Sequence, residues 1–249
     1  MEDKITTDFI LDQYGTAAYH YKEYALNVGL WKSEEYVFRK HVITSSKILD
    51  LGCGAGRTTF ALYDLGYHGI VGVDLTPEMI EAALDVKKQL EIEVSFYVGD
   101  ATDLNYENQS FDVVFFSFNG MMSIPSQAKR DQALNEIRRI LKPDGLYIFT
   151  THDQDMEPHF LEFWKEEKIK WTNGDQDPRL YDYGDIIASS KNEVRDIFIH
   201  IPTMNEIDQW LKANGWELLE TFYRNEKFIE SEAVKEKSGD CRFWVARKK

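Results

Sequence analysis

The chain predicts an α/β fold: a doubly wound, mostly parallel sheet covered by helices on both faces. Three observations carry the prediction. Short β-branched and aromatic runs alternate with helix-length amphipathic stretches between residues 47 and 152. Those runs are apolar almost without interruption, as strands buried on both faces are. The first of them ends in a glycine-rich turn, Gly52-Cys53-Gly54-Ala55-Gly56, which opens a helix. Ligands of such sheets sit at the carboxyl ends of the strands, near the point where strand order reverses.

The composition agrees with a folded enzyme-sized domain. Of 249 residues 43% are hydrophobic and 29% charged, which excludes a disordered chain. The 29 basic against 43 acidic residues give a net charge of −14. That balance argues against a broad nucleic-acid surface, and DNA above all, because duplex affinity comes largely from Lys and Arg displacing counterions. Two cysteines, Cys53 and Cys241, make no disulfide framework, and neither they nor the scattered histidines have metal-ligand spacing. No metal is expected. Met1-Glu2-Asp3-Lys4 is polar from the start, and the most apolar run, Val113 to Phe118, is too short to cross a bilayer. A cytoplasmic protein without membrane contact is the expectation.

Taken in order, residues 1–46 read as helices rich in aromatics, among them Tyr14, Tyr19, Tyr21, Tyr24 and Trp31, and form an N-terminal helical lid. Residues 47–152 and 201–249 form the ligand-binding domain. Its strands are expected at Lys47–Leu51, Ile70–Asp74, Val94–Val98, Phe111–Phe116 and Leu146–Thr151, and its helices at Arg57–Leu65, Pro77–Leu90 and Gln127–Leu141. Pro77 after Thr76 is a helix-start signal, and Lys142-Pro143-Asp144-Gly145 a stop followed by a turn. Residues 153–200 interrupt the rhythm and are too long for a plain loop. They are expected as an inserted cap, with a helix at Pro158–Ile169 and extended segments at Leu180–Ala188 and Glu193–Ile201. The main pattern resumes with a helix at Met204–Asn214, stopped by Gly215, and strands at Trp216–Tyr223 and Cys241–Arg247.

Chemistry concentrates at the strand ends. The first strand ends in an acid, Asp50, before the three alternating glycines, which let the backbone approach a ligand with no Cβ in the way. The dinucleotide fingerprint needs Gly-x-Gly-x-x-Gly, and Arg57 stands where its third glycine would be. The second strand ends in Asp74, suited to two vicinal ribose hydroxyls. The third ends in Gly99-Asp100-Ala101. There an acid could accept from an adenine amino group while a backbone N–H reaches a ring nitrogen. The fourth exits through Ser117-Phe118-Asn119, and Leu141-Lys142-Pro143-Asp144-Gly145 precedes the fifth.

This ordered set resembles the class I S-adenosylmethionine-dependent methyltransferases, closely over about residues 45–152 and weakly over the last strands. Asp144 stands where the family commonly has glycine, on the surface. The resemblance implies a Rossmann-like sheet of seven strands with the last antiparallel, and S-adenosylmethionine as cofactor, leaving S-adenosylhomocysteine as product. It further implies that Gly52, Gly54 and Gly56 pass beneath the methionine part. Asp50 would hold the ammonium, directly or through water. Asp74 would take the ribose, with Leu75 beside the adenine, and Asp100 and Ala101 would read the adenine edge. Ser117 or Phe118 would supply backbone near the methionine end, and Tyr19 is chosen from the lid for the methionine carboxylate.

A methyl sulfonium is already a strong electrophile, so the enzyme mainly aligns a nucleophile and excludes water. A base is needed only where the nucleophile arrives protonated. His152, at the end of the fifth strand, is the candidate base, and Asn119 the candidate orienting group. Members that methylate nucleobase amines usually carry Asn/Asp-Pro-Pro-aromatic after the fourth strand. Phe116-Ser117-Phe118-Asn119 has no such clamp, which favours a small-molecule acceptor. The insert carries a net −6 interleaved with Trp164, Trp171, Tyr181 and Tyr183, a composition that would suit a cationic or amine acceptor but that more often marks a solvated, charged cap surface. Two other readings stay open at this level: an RNA- or protein-modifying methyltransferase, and a non-catalytic S-adenosylmethionine-binding protein.

Overall fold

Five parallel strands, extended by an antiparallel pair, make one seven-stranded sheet. A computed structural model describes residues 4–156, 158–189 and 196–249. Three helices lead, α1 (Thr7–Gly15), α2 (Ala18–Asn27) and α3 (Lys32–His41). The alternating core follows: β1 (Ile48–Leu51), α4 (Arg57–Asp64), β2 (Ile70–Asp74), α5 (Pro77–Leu90), β3 (Ser95–Val98), β4 (Phe111–Phe116), a short 3₁₀ turn (Met121–Ser123), α6 (Gln127–Ile140) and β5 (Leu141–Thr151). After β5 come α7 (Pro158–Asn173), β6 (Asp185–Ser189) and β7 (Asp196–His200). The chain closes with α8 (Met204–Ala213), β8 (Trp216–Tyr223), α9 (Arg224–Lys227), α10 (Glu232–Lys237) and β9 (Arg242–Lys248).

The sheet order is β3-β2-β1-β4-β5-β9-β8, and β9 runs antiparallel to both its neighbours. The chain therefore reverses direction of travel between β1 and β4, and a crevice opens above that gap. Side chains alternate across the sheet. Val113 and Phe115 join Phe38 of α3 on one face, and Val114 and Phe116 join Leu49, Phe149 and Trp244 on the other. Both layers are closed to solvent around the central strands β1 and β4, which is why those read as apolar runs, whereas Tyr97 and Val98 of the edge strand β3 are exposed.

The structure departs from the expected boundaries where pairing overrides local signals. Helix α6 ends at Ile140, because Leu141 already pairs with Phe111. The expected turn at 142–145 lies inside β5, where the register with β4 shifts and Asp144 adopts φ +61°. Helix α7 runs on to Asn173. The two extended segments of the insert pair as a hairpin separate from the main sheet. The second was expected from Glu193, and residues 190–195 lie outside the described residues; its described pairing begins at Asp196. Helices α9 and α10 were not expected. No helix among the described residues is long and apolar enough to cross a membrane.

The hairpin packs on α1 rather than on the sheet. Ile5, Ile10, Leu180 and Phe198 form a third apolar cluster. Ile5 N donates to Arg179 O, Phe198 N donates to Gln13 Oε1, and Tyr181 Oη donates to Ile5 O. Lys4 Nζ donates to Leu180 O. The N-terminal helix and the hairpin thus share one apolar cluster, and of the two only α1 lines the crevice.

Candidate active site

An open cleft, about 860 Å³ with its open solvent included, lies above the β1/β4 gap. Its floor is the set of strand ends. Asp74 is the pivot. Its Oδ2 accepts from Gly54 N at 2.8 Å and its Oδ1 from Thr76 N at 2.9 Å, so the end of β2 grips the glycine loop. Each oxygen keeps a second lone pair for a ligand. Burial pushes the carboxyl above its ordinary range, and the two backbone N–H groups oppose that shift. Asp100 Oδ1 accepts from Thr102 N and Thr102 Oγ1, both at 2.8 Å, an arrangement that aims the carboxylate at the cleft. Leu75, Ala101 and Met79 supply apolar surface between the two acids.

Gly54 has φ +54°, which a side chain would strain, and a Cβ there would meet the Tyr21 ring at 3.3 Å and Met79 Sδ at 3.9 Å. The loop therefore leaves backbone exposed to the cleft at this residue. Gly52 also lines the cleft, as do Ser117, Phe118 and Asn119 at the exit of β4. Phe118 has φ +57°, a strained conformation for a bulky residue, and its carbonyl accepts from Thr150 Oγ1 at 3.1 Å. A second lobe of about 570 Å³ adjoins the first over Gly52 and Gly54 and is lined by Tyr21, Tyr24, Trp31, Arg57 and Ser238. The floor thus offers two carboxylates, a small-residue cradle and apolar faces in a row, the chemistry that an adenosine bearing an amino-acid tail requires.

Four of the expected residues stand elsewhere. Asp50 is 1% exposed and lines neither lobe. Its Oδ2 accepts from Thr58 Oγ1 at 2.5 Å and Thr59 Oγ1 at 2.6 Å, which ties β1 to the first turn of α4. Burial raises its pKa to about 6 against those two hydrogen bonds. Gly56 also lines neither lobe; a Cβ there would lie 2.6 Å from Phe60 and 2.9 Å from Phe96, so its glycine serves packing. Tyr19 is 70% exposed and stacks edge-on with His20, away from the cleft. Two residues along α2 is a rotation of about 200°, so Tyr19 faces out where Tyr21 faces in. His152 lines neither lobe: its Nδ1 bonds Asp240 O at 2.9 Å, and its backbone N donates to Met122 Sδ. Burial and the nearby Arg224 lower its pKa, so the ring is neutral with Nδ1–H donating.

Of the front wall, sequence reasoning named only Tyr14, among the aromatics of the lid, and passed over Thr7, Ile10 and Lys129. Thr7, Ile10 and Tyr14 of α1 line the cleft together, a one-face spacing that the helical period could have marked. Tyr14 Oη lies 2.6 Å from Ser123 Oγ across the opening. Lys129, in the first turn of α6, also faces the cleft. Arg57 reads differently too. It pairs with the fully buried Glu34 through two bonds of 2.7 and 2.8 Å, and Glu34 in turn accepts from Trp31 N at 2.9 Å. Helix α3 is thereby clamped to the helix that follows the glycine loop.

The acids of the insert are mostly engaged within the protein. Asp185 accepts from His200 Nδ1 at 2.7 Å, and Asp182 from Arg130 Nη2 at 3.0 Å and from Gln127 N. Asp177 holds Arg179, and Asp153 accepts from Tyr223 Oη at 2.8 Å. None of them lines either lobe. No group of residues that could hold a metal ion occurs among the described residues.

Known proteins with this arrangement identify the family. A family model described as a methyltransferase domain matches residues 44–215. A demethylmenaquinone methyltransferase of Staphylococcus haemolyticus is 34% identical over 137 residues, 52% of this chain and 55% of that protein, so the chain spans about half that relative's length. Phosphoethanolamine N-methyltransferase 1 of Arabidopsis thaliana is 28% identical over 201 residues, 81% of this chain and 38% of the relative. A crystal structure of a SAM-dependent methyltransferase from Methanosarcina mazei shares the fold at a TM-score of 0.70 and 18% identity, covering 88% of this chain and 98% of that one. The chain belongs to the methyltransferase domain family, as a class I S-adenosylmethionine-dependent member.

Proposed function

We propose that this protein transfers the methyl group of S-adenosylmethionine to a small-molecule acceptor. One observation carries the reading: the ends of β1, β2, β3 and β4 bring Gly52, Gly54, Asp74, Leu75, Asp100, Ala101, Ser117 and Phe118 around a single cleft. The relatives named above act on demethylmenaquinone and on phosphoethanolamine, by their names, which supports the acceptor class.

In this reading Asp74 accepts from both ribose hydroxyls, while its bonds to Gly54 N and Thr76 N keep it from turning away. Asp100 accepts from the adenine amino group through its free Oδ2, and Leu75, Met79 and Ala101 sandwich the ring. Gly54 lets the methionine backbone approach. Tyr21 takes the lid contact to the methionine tail in place of Tyr19, since it faces the junction of the two lobes. The bound cofactor supplies an activated methyl group, and the chain's remaining task is to orient the acceptor and exclude water. Asn119 lines the cleft at the exit of β4, where its amide can orient an acceptor. Helix α1 lines the front of the cleft, backed by the hairpin packed against it. His152 is a positioning residue: its bond to Asp240 O holds the β9 entry against the end of β5.

Turnover tests the reading. Purified protein with S-adenosylmethionine and a small-molecule extract should form S-adenosylhomocysteine faster than without extract, and Asp74→Ala should abolish the difference. Equal formation with and without extract, in both proteins, would mean the cleft does not transfer methyl groups to small molecules.

A further inference from the structure

Lys129 is the one lysine or arginine among the described residues that lines the larger lobe. Its Nζ donates to Thr7 Oγ1 at 2.8 Å, a neutral hydroxyl, and no described carboxylate lies within 4.0 Å of it. Of the cations nearby, Arg57, which lines the smaller lobe, has Glu34, and Arg130, the next residue along α6, has Asp182 and Asp185. Partly desolvated charges without a partner are costly, so an unpaired ammonium in a cleft points to a charge that arrives with a ligand.

The rest of the front wall agrees. Ser123 Oγ donates to Asn119 O at 2.9 Å, so in the 2.6 Å contact the Tyr14 hydroxyl is the donor and Ser123 the acceptor. Ile10 and Ile124 give the wall an apolar middle between this hydroxyl pair and Lys129. The two carboxylates of the cleft, Asp74 and Asp100, lie on the floor and hold backbone N–H groups. The acids of the insert are turned to Arg130, His200, Arg179 and Tyr223. Among the described residues, no carboxylate lines the front wall.

We propose that Lys129, steadied by Thr7, recognises an anionic oxygen group on the methyl acceptor, whose apolar body rests on Ile10 and Ile124. The inference rests on the cofactor reading above, in which the floor is taken by adenosine. The cofactor's single carboxylate belongs to its methionine half, at the Gly52–Gly54 end, so Lys129 is left for the second substrate. The acceptor is then acidic or anionic, which reverses the hint that the insert's composition carries.

The test uses full-length protein saturated with S-adenosylhomocysteine and three probes of one shape: naphthoate, naphthylmethanol and naphthylmethylammonium, titrated calorimetrically at low salt. Naphthoate should bind about tenfold more tightly than the ammonium probe, the scale of one half-buried charge pair. Lys129→Ala should bring the three within about twofold of each other, and Lys129→Arg should keep the preference. S-adenosylhomocysteine affinity should be unchanged in both variants. A preference for the ammonium probe, a preference that survives Lys129→Ala, or no naphthoate binding at millimolar concentration overturns the proposal. A loss of S-adenosylhomocysteine affinity in Lys129→Ala assigns the lysine to the cofactor and also overturns it. Failure of the wild type to bind S-adenosylhomocysteine removes the cofactor reading itself, and is seen before any probe is added.

Discussion

Replacing Glu34 by alanine removes the clamp between α3 and the glycine-loop helix. Glu34 is fully buried and accepts three hydrogen bonds, two from Arg57 and one from Trp31 N. Its loss leaves the Arg57 guanidinium, with 15% of its side chain exposed, without a counter-ion, and leaves the Trp31 N–H unsatisfied. Breaking one partner of a buried pair costs about 3–5 kcal/mol. Unfolding entropy is about 2.1 cal/mol/K per residue, so 249 residues give about 0.5 kcal/mol/K and the cost becomes a fall in Tm of about 6–10 °C. Scanning calorimetry of Glu34→Ala, Arg57→Ala and the double variant measures it. The double variant should be little worse than either single one, because the second change removes a charge the first left stranded. Additive losses, or a Glu34→Ala loss under about 1 kcal/mol, would refute the reasoning.

Four further outcomes are expected. Asp74→Ala should weaken S-adenosylhomocysteine binding by at least about a hundredfold, since two hydrogen bonds to a charged acceptor are worth about 3–6 kcal/mol together; calorimetric titration with an intact circular dichroism spectrum checks it. Gly54→Ala should fold, because the added methyl finds 3.3 Å to Tyr21, and yet lose cofactor affinity to backbone strain and the narrowed cradle; thermal melts and the same titration separate the two. His200 lies between Asp185 and Glu206, whose hydrogen bonds raise its pKa against the opposing effect of burial. Its contribution to stability is then fully present below about pH 6.5 and is lost as pH rises through the higher folded value. Denaturant midpoints across that range should fall in the wild type, and the His200→Phe variant, less stable throughout, should not show that fall. His152→Ala should leave S-adenosylhomocysteine affinity within about twofold, because the ring lines neither lobe; a larger loss would place it at the cofactor.

The sheet was legible because its signals are local and redundant. Val113 to Phe116 is buried on both faces, so apolarity itself announces the strand. The cleft floor was legible for a related reason: Gly52, Gly54, Asp74 and Asp100 each sit within three residues of a strand end, and strand ends converge. What failed was orientation. Tyr19 and Tyr21 are the same residue type two positions apart, and only the docking of α2 decides which faces in. His152 ends its strand as expected, yet a bond to Asp240, 88 residues away, turns its ring from the cleft. Lys129 looks like any basic residue on an exposed helix until Thr7, 122 residues away, is folded against it. The acidity of the insert misled because composition counts charges and not their partners. Asp182 and Asp185 spend theirs on Arg130 and His200.

The central claim is that the cleft above Gly52, Gly54, Asp74 and Asp100 is a cofactor site. Titration calorimetry of the wild-type protein with S-adenosylhomocysteine tests it most directly. The structure predicts one site per chain, saturable, and lost in Asp74→Ala. Absence of binding in the folded wild type, or equal binding in the variant, would contradict it.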